Sequence, residues 1–170
     1  ILLSVSVQAQ EYWQQEVNYK IDVALDDKTH TLRGFEEFEY INNSPDILNR
    51  IYIHIWPNAY KDKNTALARQ QYKDGNQDLT YGSDDLKGNI DSLDFKINGE
   101  KSNWTFHHHE DIAILELNSP LAPGQRIIVS TPFKVNIPSG SISRLGHIEE
   151  SYQITQWYPK PAVYDKQGWH

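Results

Sequence analysis

The stretch Val17-Asn18-Tyr19-Lys20-Ile21-Asp22-Val23-Ala24-Leu25 places an apolar side chain at every second position. Period two marks a strand with one buried face, because successive side chains point to opposite sides of the pleat. Asp26-Asp27-Lys28 closes the run. A second strand follows from Thr29 to Ile41, with Leu32, Phe38 and Tyr40 among its β-formers, and the short polar link predicts a hairpin. Asn42-Asn43-Ser44-Pro45 then breaks the strand. Beyond it, Ile51, Ile53 and Ile55 alternate with Tyr52, His54 and Trp56, a strand with bulky residues on both faces, as in a sheet covered on each side.

Good helix formers behind a polar start predict one short helix over Asn64 to Tyr72, and the polar, glycine-bearing stretch from Asp74 to Gly88 reads as a loop. Strand patterns then recur at Ile90 to Ile97, Lys101 to His107, Asp111 to Leu117 and Arg126 to Ile137, in the manner of a β-meander. Asn98-Gly99 is the clearest hairpin signal among them, since a type I′ turn requires positive φ at both central residues. Several strands at short spacing with a single helix define the fold class: an all-β curved sheet or β-sandwich.

The chain has 170 residues, a length expected of one domain. Its 16 Lys and Arg against 23 Asp and Glu give a net charge of −7, which disfavours nucleic acid as a partner. A mean hydropathy of −0.67, with no apolar run long enough to cross a bilayer, argues against a transmembrane segment. Absence of cysteine excludes disulfides, a thiolate nucleophile and Cys-ligated zinc. Ile1 to Ala9 is a short apolar run ending in small residues at Val7 and Ala9. It reads as a signal-peptide remnant cleaved before Gln10, from which an exported location is expected. Gly168-Trp169-His170 ends without a polar tail, so residues 10–170 are read as an amino-terminal domain incomplete at its carboxyl end.

Each candidate chemical motif has a plain structural reading. His107-His108-His109 cannot converge on one ion if the three lie on a strand, where neighbours face apart, so no metal site is assigned there. Asp74-x-Asn76-x-Asp78 with Asp85 copies part of a calcium-loop spacing but has Leu79 where the turn glycine belongs, and it lacks the bidentate glutamate. The pairs Asp26-Asp27, Glu36-Glu37, Asp84-Asp85 and Glu149-Glu150 read as solvated turns and strand edges, not as carboxylates opposed across a cleft. The least ordinary segment is Tyr152 to Asp165, rich in aromatics, amides and prolines. It reads either as a domain-closing strand or as the carrier of a glutamine that serves an ammonium or amide group.

Taken in chain order, these motifs resemble a known family: Leu32-x-Gly34, Tyr40-x-Asn42-x-Ser44, Ile51-x-Ile53-His54-Ile55-Trp56-Pro57-Asn58, and Leu121-x-Pro123-Gly124. The last is Thr155-Gln156-Trp157-Tyr158-Pro159-Lys160 with Tyr164-Asp165 and Gly168-Trp169. Together they are similar to the amino-terminal β domain of aminopeptidase N-type zinc metallopeptidases, the gluzincin family, in its bacterial exported branch. The resemblance implies a saddle-like, non-catalytic β domain packed on a thermolysin-like catalytic domain of the same polypeptide. That absent domain would carry H-E-x-x-H and the zinc ligands, and this chain would hold no metal and be inactive alone. It further implies that Gln156, with Gln153 as second choice, lines the pocket for the amino terminus of a peptide substrate. The rival reading is a secreted β-sandwich that binds carbohydrate or protein through its ten Tyr and five Trp.

Overall fold

A computed structural model describes residues 12–107, 111–140 and 144–170. The expected leader with its cleavage point, and His108 and His109, lie outside the described residues. The strands in chain order are β1 Glu16–Asp26, β2 Thr31–Ile41, β3 Leu48–His54, β4 Asn89–Asp91, β5 Lys96–Ile97, β6 Glu100–Lys101 and β7 Trp104–Phe106. They continue with β8 Ile112–Leu121, β9 Arg126–Asn136, β10 Leu145–Ile148, β11 Ser151–Ile154, β12 Lys160–Pro161, β13 Tyr164–Asp165 and β14 Gly168–Trp169. The helices are α1 Ala66–Lys73 and α2 Asp78–Tyr81.

Two sheets carry the architecture. The larger has the order β1-β2-β9-β5-β6, with β4 also paired to β9, and the smaller has the order β12-β3-β8-β7. Both send side chains into one core. Phe38, Tyr40, Val129 and Val135 come from the larger sheet, and Ile51, Ile53, Ala113 and Leu115 from the smaller, each fully excluded from solvent. The chain is therefore an all-β sandwich.

The expected hairpin is β1–β2, antiparallel over its whole length from Glu16↔Ile41 to Asp26↔Thr31. β2 begins at Thr31, two residues later than expected. The Asp26 carboxylate accepts from the Lys28 and Thr29 amides at 3.0 and 3.2 Å, and His30 turns left-handed at φ 50, so the turn is wider than its polar residues suggest. Asn98 and Gly99 have φ of 52 and 84, the pair of positive values that the β5–β6 turn demands. The simple meander does not hold, because β8 and β9 are consecutive yet belong to different sheets, and β9 slots between β2 and β5. α1 matches the expected helix and is capped by Thr65, whose hydroxyl accepts from the Ala68 amide at 3.1 Å. The polar stretch after it contains α2, in which Leu79 is 1% exposed, so that stretch is anchored by one apolar residue.

Asn42 sits where the chain leaves the larger sheet for the smaller and is itself buried. Its Nδ2 donates to the Asp46 and Leu121 carbonyls at 2.7 and 3.0 Å. Its Oδ1 accepts from the Ser44 hydroxyl at 2.6 Å and the Ser44 amide at 3.1 Å. Its backbone exchanges bonds with Gln125 and Gly124, in the turn between β8 and β9. Truncation would strand several of these groups without water, so Asn42→Ala is expected to destabilise the fold by about 2–4 kcal/mol. Urea unfolding followed by circular dichroism checks this, and a loss below about 0.5 kcal/mol would show that the crossover does not depend on Asn42.

Candidate functional site

The inner face of β1–β2–β9 is built by strand parity. Across the pairings, Ile21, Glu36 and Thr131 fall in one row, flanked by the row Tyr19, Phe38 and Val129. Gly34 lies next along β2, where the Phe133 ring leans so close that a Cβ would fall 2.4 Å from its Cζ. A carboxylic acid thus stands in the middle of an apolar face. Glu36 is 0% exposed, and neither of its oxygens has a hydrogen-bond partner among the described residues. This corrects the sequence reading of Glu36-Glu37 as a solvated pair: Glu37 is exposed, but Glu36 shares the parity of Leu32, Phe38 and Tyr40 and points inward with them.

The segment carrying the expected site residues packs against this face. β10 and β11 form a hairpin with Leu145↔Ile154 and Gly146↔Gln153 paired. After Ile154 the chain leaves the strand, and both the amide and the hydroxyl of Thr155 donate to the Arg144 carbonyl, at 3.2 and 2.9 Å. Gln156 follows in the left-handed region at φ 55, with its side chain exposed. Two rings then seat the chain. Trp157 packs on Phe133 at 5.8 Å, and Tyr158 meets Tyr19 edge-on at 5.4 Å. Pro159 is buried, and Lys160 opens β12 opposite His54. Gln156 is therefore an exposed residue held between two fixed points, Thr155 behind it and the aromatic seat ahead.

Gln153 is also exposed but lies elsewhere, on β11, lining a cleft of about 220 Å³ with His147 and Tyr152. Gln153 and Gln156 are not alternative registers of one strand, because β11 ends between them. Below Gln153, the His30 and His147 rings stack at 3.6 Å, and His30 Nδ1 lies 2.8 Å from the Tyr152 hydroxyl. This stack ties the β1–β2 turn to the hairpin that leads to Gln156, a contact that no local pattern announces.

Among the described residues no group of three or more His, Asp and Glu could hold a metal ion. His107 follows β7 and lines a separate cleft of about 370 Å³ with Tyr52, His54, Trp169 and His170. There His54 Nε2 lies 3.2 Å from the His170 carbonyl, and burial holds the His54 imidazole below its usual range. The calcium-like spacing is used otherwise. Asn76 accepts from the Asp78 amide at 2.9 Å at the start of α2, Asp74 closes α1 with its amide on the Gln70 carbonyl, and the Asp85 carbonyl accepts from the Ser139 amide at 2.7 Å.

Burial pushes the Glu36 carboxyl up from 4.5 to about 9, so it is neutral at neutral pH. The same burial, with Tyr158 and Glu36 nearby, raises the Tyr19 hydroxyl. Between about 4.5 and 9 the native state holds a proton that the unfolded chain has released. Glu36's contribution is thus fully favourable below that window and falls by about 1.4 kcal/mol per pH unit as pH rises through it. Glu36→Gln keeps the shape without the titration. It is expected to flatten the fall in stability between pH 5 and pH 9 and to be more stable than wild type at pH 8, by roughly 3 kcal/mol or more. Parallel pH–stability curves for the two proteins would show that Glu36 is not the buried neutral acid.

No protein-family model and no curated protein matches the chain. Among solved structures it is similar to a variant of the M1 zinc metallopeptidase from Deinococcus radiodurans, at 12% identity and a TM-score of 0.45, over 76% of this chain and 22% of that one. It is also similar to a two-domain M1 zinc metallopeptidase bound to L-arginine, at 14% identity and a TM-score of 0.44, over 75% of this chain. The chain spans 22% of the length of each of these structures.

Proposed function

We propose that the chain is the non-catalytic amino-terminal domain of an exported zinc aminopeptidase. In this reading residues 10–170 pack on a catalytic domain of the same polypeptide, and residues 1–9 are the remnant of its export signal. The observation that carries the reading is the presentation of Gln156 within Thr155-Gln156-Trp157-Tyr158-Pro159-Lys160. Its amide is exposed, and among the described residues nothing bonds to it, while its backbone is fixed on both sides. A neutral amide can give its oxygen to a substrate's ammonium group as that group sheds water at the mouth of a cleft. Zinc, held by an H-E-x-x-H motif outside this chain, would supply the activated water. This chain's part is to bind and orient the peptide's amino terminus.

The rival reading, a free binding module with an aromatic platform, has less support. Each of the five tryptophans is part-buried. Trp13 and Trp169 pack on Tyr164, Trp56 on His54, Trp104 on Phe95 and Phe106, and Trp157 on Phe133. None of the five is fully open to solvent.

In the parent polypeptide, with its downstream domain, Gln156→Ala is expected to lower kcat/KM on an amino-acid anilide by about tenfold, the value of one well-placed hydrogen bond to a charged group. Gln153→Ala is expected to change it less. Unaltered kinetics in Gln156→Ala would remove that residue from the site. A downstream coding sequence without a helical H-E-x-x-H would remove the peptidase reading itself.

A further inference from the structure

α1 and α2 stand on a small core of their own, Ala68 and Leu79, both 1% exposed, with Tyr60, Leu67 and Leu86 packed against it. Between the two helices lies a cleft of about 310 Å³. Its charged lining is one-sided: Lys63, Arg69 and Lys73 contribute three cations, and among the described residues no carboxylate lines it, in a chain whose net charge is −7. Among the described residues none of the three forms an ion pair. Arg69 spends one amino group on the Asn64 carbonyl, which fixes the guanidinium and leaves its other donors open.

The apolar lining is equally incomplete. Tyr72 and Tyr81 meet edge-on at 6.3 Å, yet they are 47% and 73% exposed. Two large rings forming an open corner beside three unpaired cations match a ligand that is anionic and carries an apolar or aromatic group. Spacing narrows the class. Arg69 and Lys73 are four residues apart on one helix face, about 6 Å along the axis. Alternate side chains of an extended peptide are about 6.8 Å apart on one face.

We propose that this cleft docks an extended acidic peptide segment, with alternate carboxylates on Arg69 and Lys73 and an aromatic side chain against Tyr72 and Tyr81. A sulfated glycan would supply the charge, but Tyr72 and Tyr81 meet at 65°, a corner and not the flat face on which a sugar ring stacks. An anionic membrane would be opposed by the charge of the rest of the chain. The proposal is independent of the peptidase reading, because it concerns binding alone.

A fluorescently labelled peptide with the pattern Glu-Ala-Glu-Ala-Phe, titrated into the full chain and followed by anisotropy, tests it. Saturable binding that weakens with added salt is expected. Replacing the peptide's glutamates by glutamine, or introducing Arg69→Gln with Lys73→Gln, should weaken it by roughly tenfold or more. Tyr81→Ser should weaken it several-fold without altering the salt dependence, and Lys20→Gln, on β1, should leave it unchanged. Circular dichroism establishes that each variant is folded. Absence of saturable binding, equal affinity in the Arg69/Lys73 double variant, or binding of heparin in place of the peptide would each overturn the proposal.

Discussion

One buried amide bonds to both places where the chain crosses between the two sheets. At Asn42 the chain passes from the larger sheet to the smaller, and in the turn between β8 and β9 it passes back. Asn42 bonds to both crossings, through its side chain to Leu121 and through its backbone to Gly124 and Gln125. A sandwich whose long strands alternate between layers needs its crossings pinned, since each is a point where backbone donors and acceptors leave one ladder before joining the next. An aliphatic side chain of similar size would keep the backbone bonds but leave the Asp46 and Leu121 carbonyls and the Ser44 amide and hydroxyl without the Asn42 amide. This accounts for a fully buried asparagine at the crossover.

The inner face of β1–β2–β9 follows the same logic with one exception. Its rows are apolar or aromatic except for Glu36 and Thr131, and Thr131 finds partners in the Asp94 amide and the Pro132 carbonyl. Glu36 finds none. The aromatic seat that holds Gln156 is laid on the rows beside this carboxyl, with Tyr158 on Tyr19 and Trp157 on Phe133. The positioned glutamine and the buried acid therefore belong to one structural unit, although their residues lie far apart in sequence.

Much of this was legible in the residues and some was not. The alternation from Val17 to Leu25 located β1, the Asn98-Gly99 dipeptide located a turn with two positive φ values, and a polar start at Asn64 before a run of helix formers located α1. These signals are local, arising from side-chain parity, steric freedom and capping. Which sheet each strand joins is not local, so the passage from β8 to β9 read as a meander when it is a change of layer. The burial of Glu36 was available from the parity of β2, but residue type outweighed position in that reading. Nothing in the chain's pattern brings His30 to His147, because their contact depends on how two hairpins dock.

Glu36 also gives folding a stoichiometry. The chain that closes over this carboxyl at neutral pH captures a hydrogen ion from the medium, and the chain that opens returns it. The heat of the transition therefore includes the ionisation heat of whatever buffer exchanges that ion. Calorimetry in phosphate and in Tris would give enthalpies differing by nearly the full gap between those buffers' ionisation heats. Assembly of the β-sandwich is in this sense an acid–base reaction with the buffer.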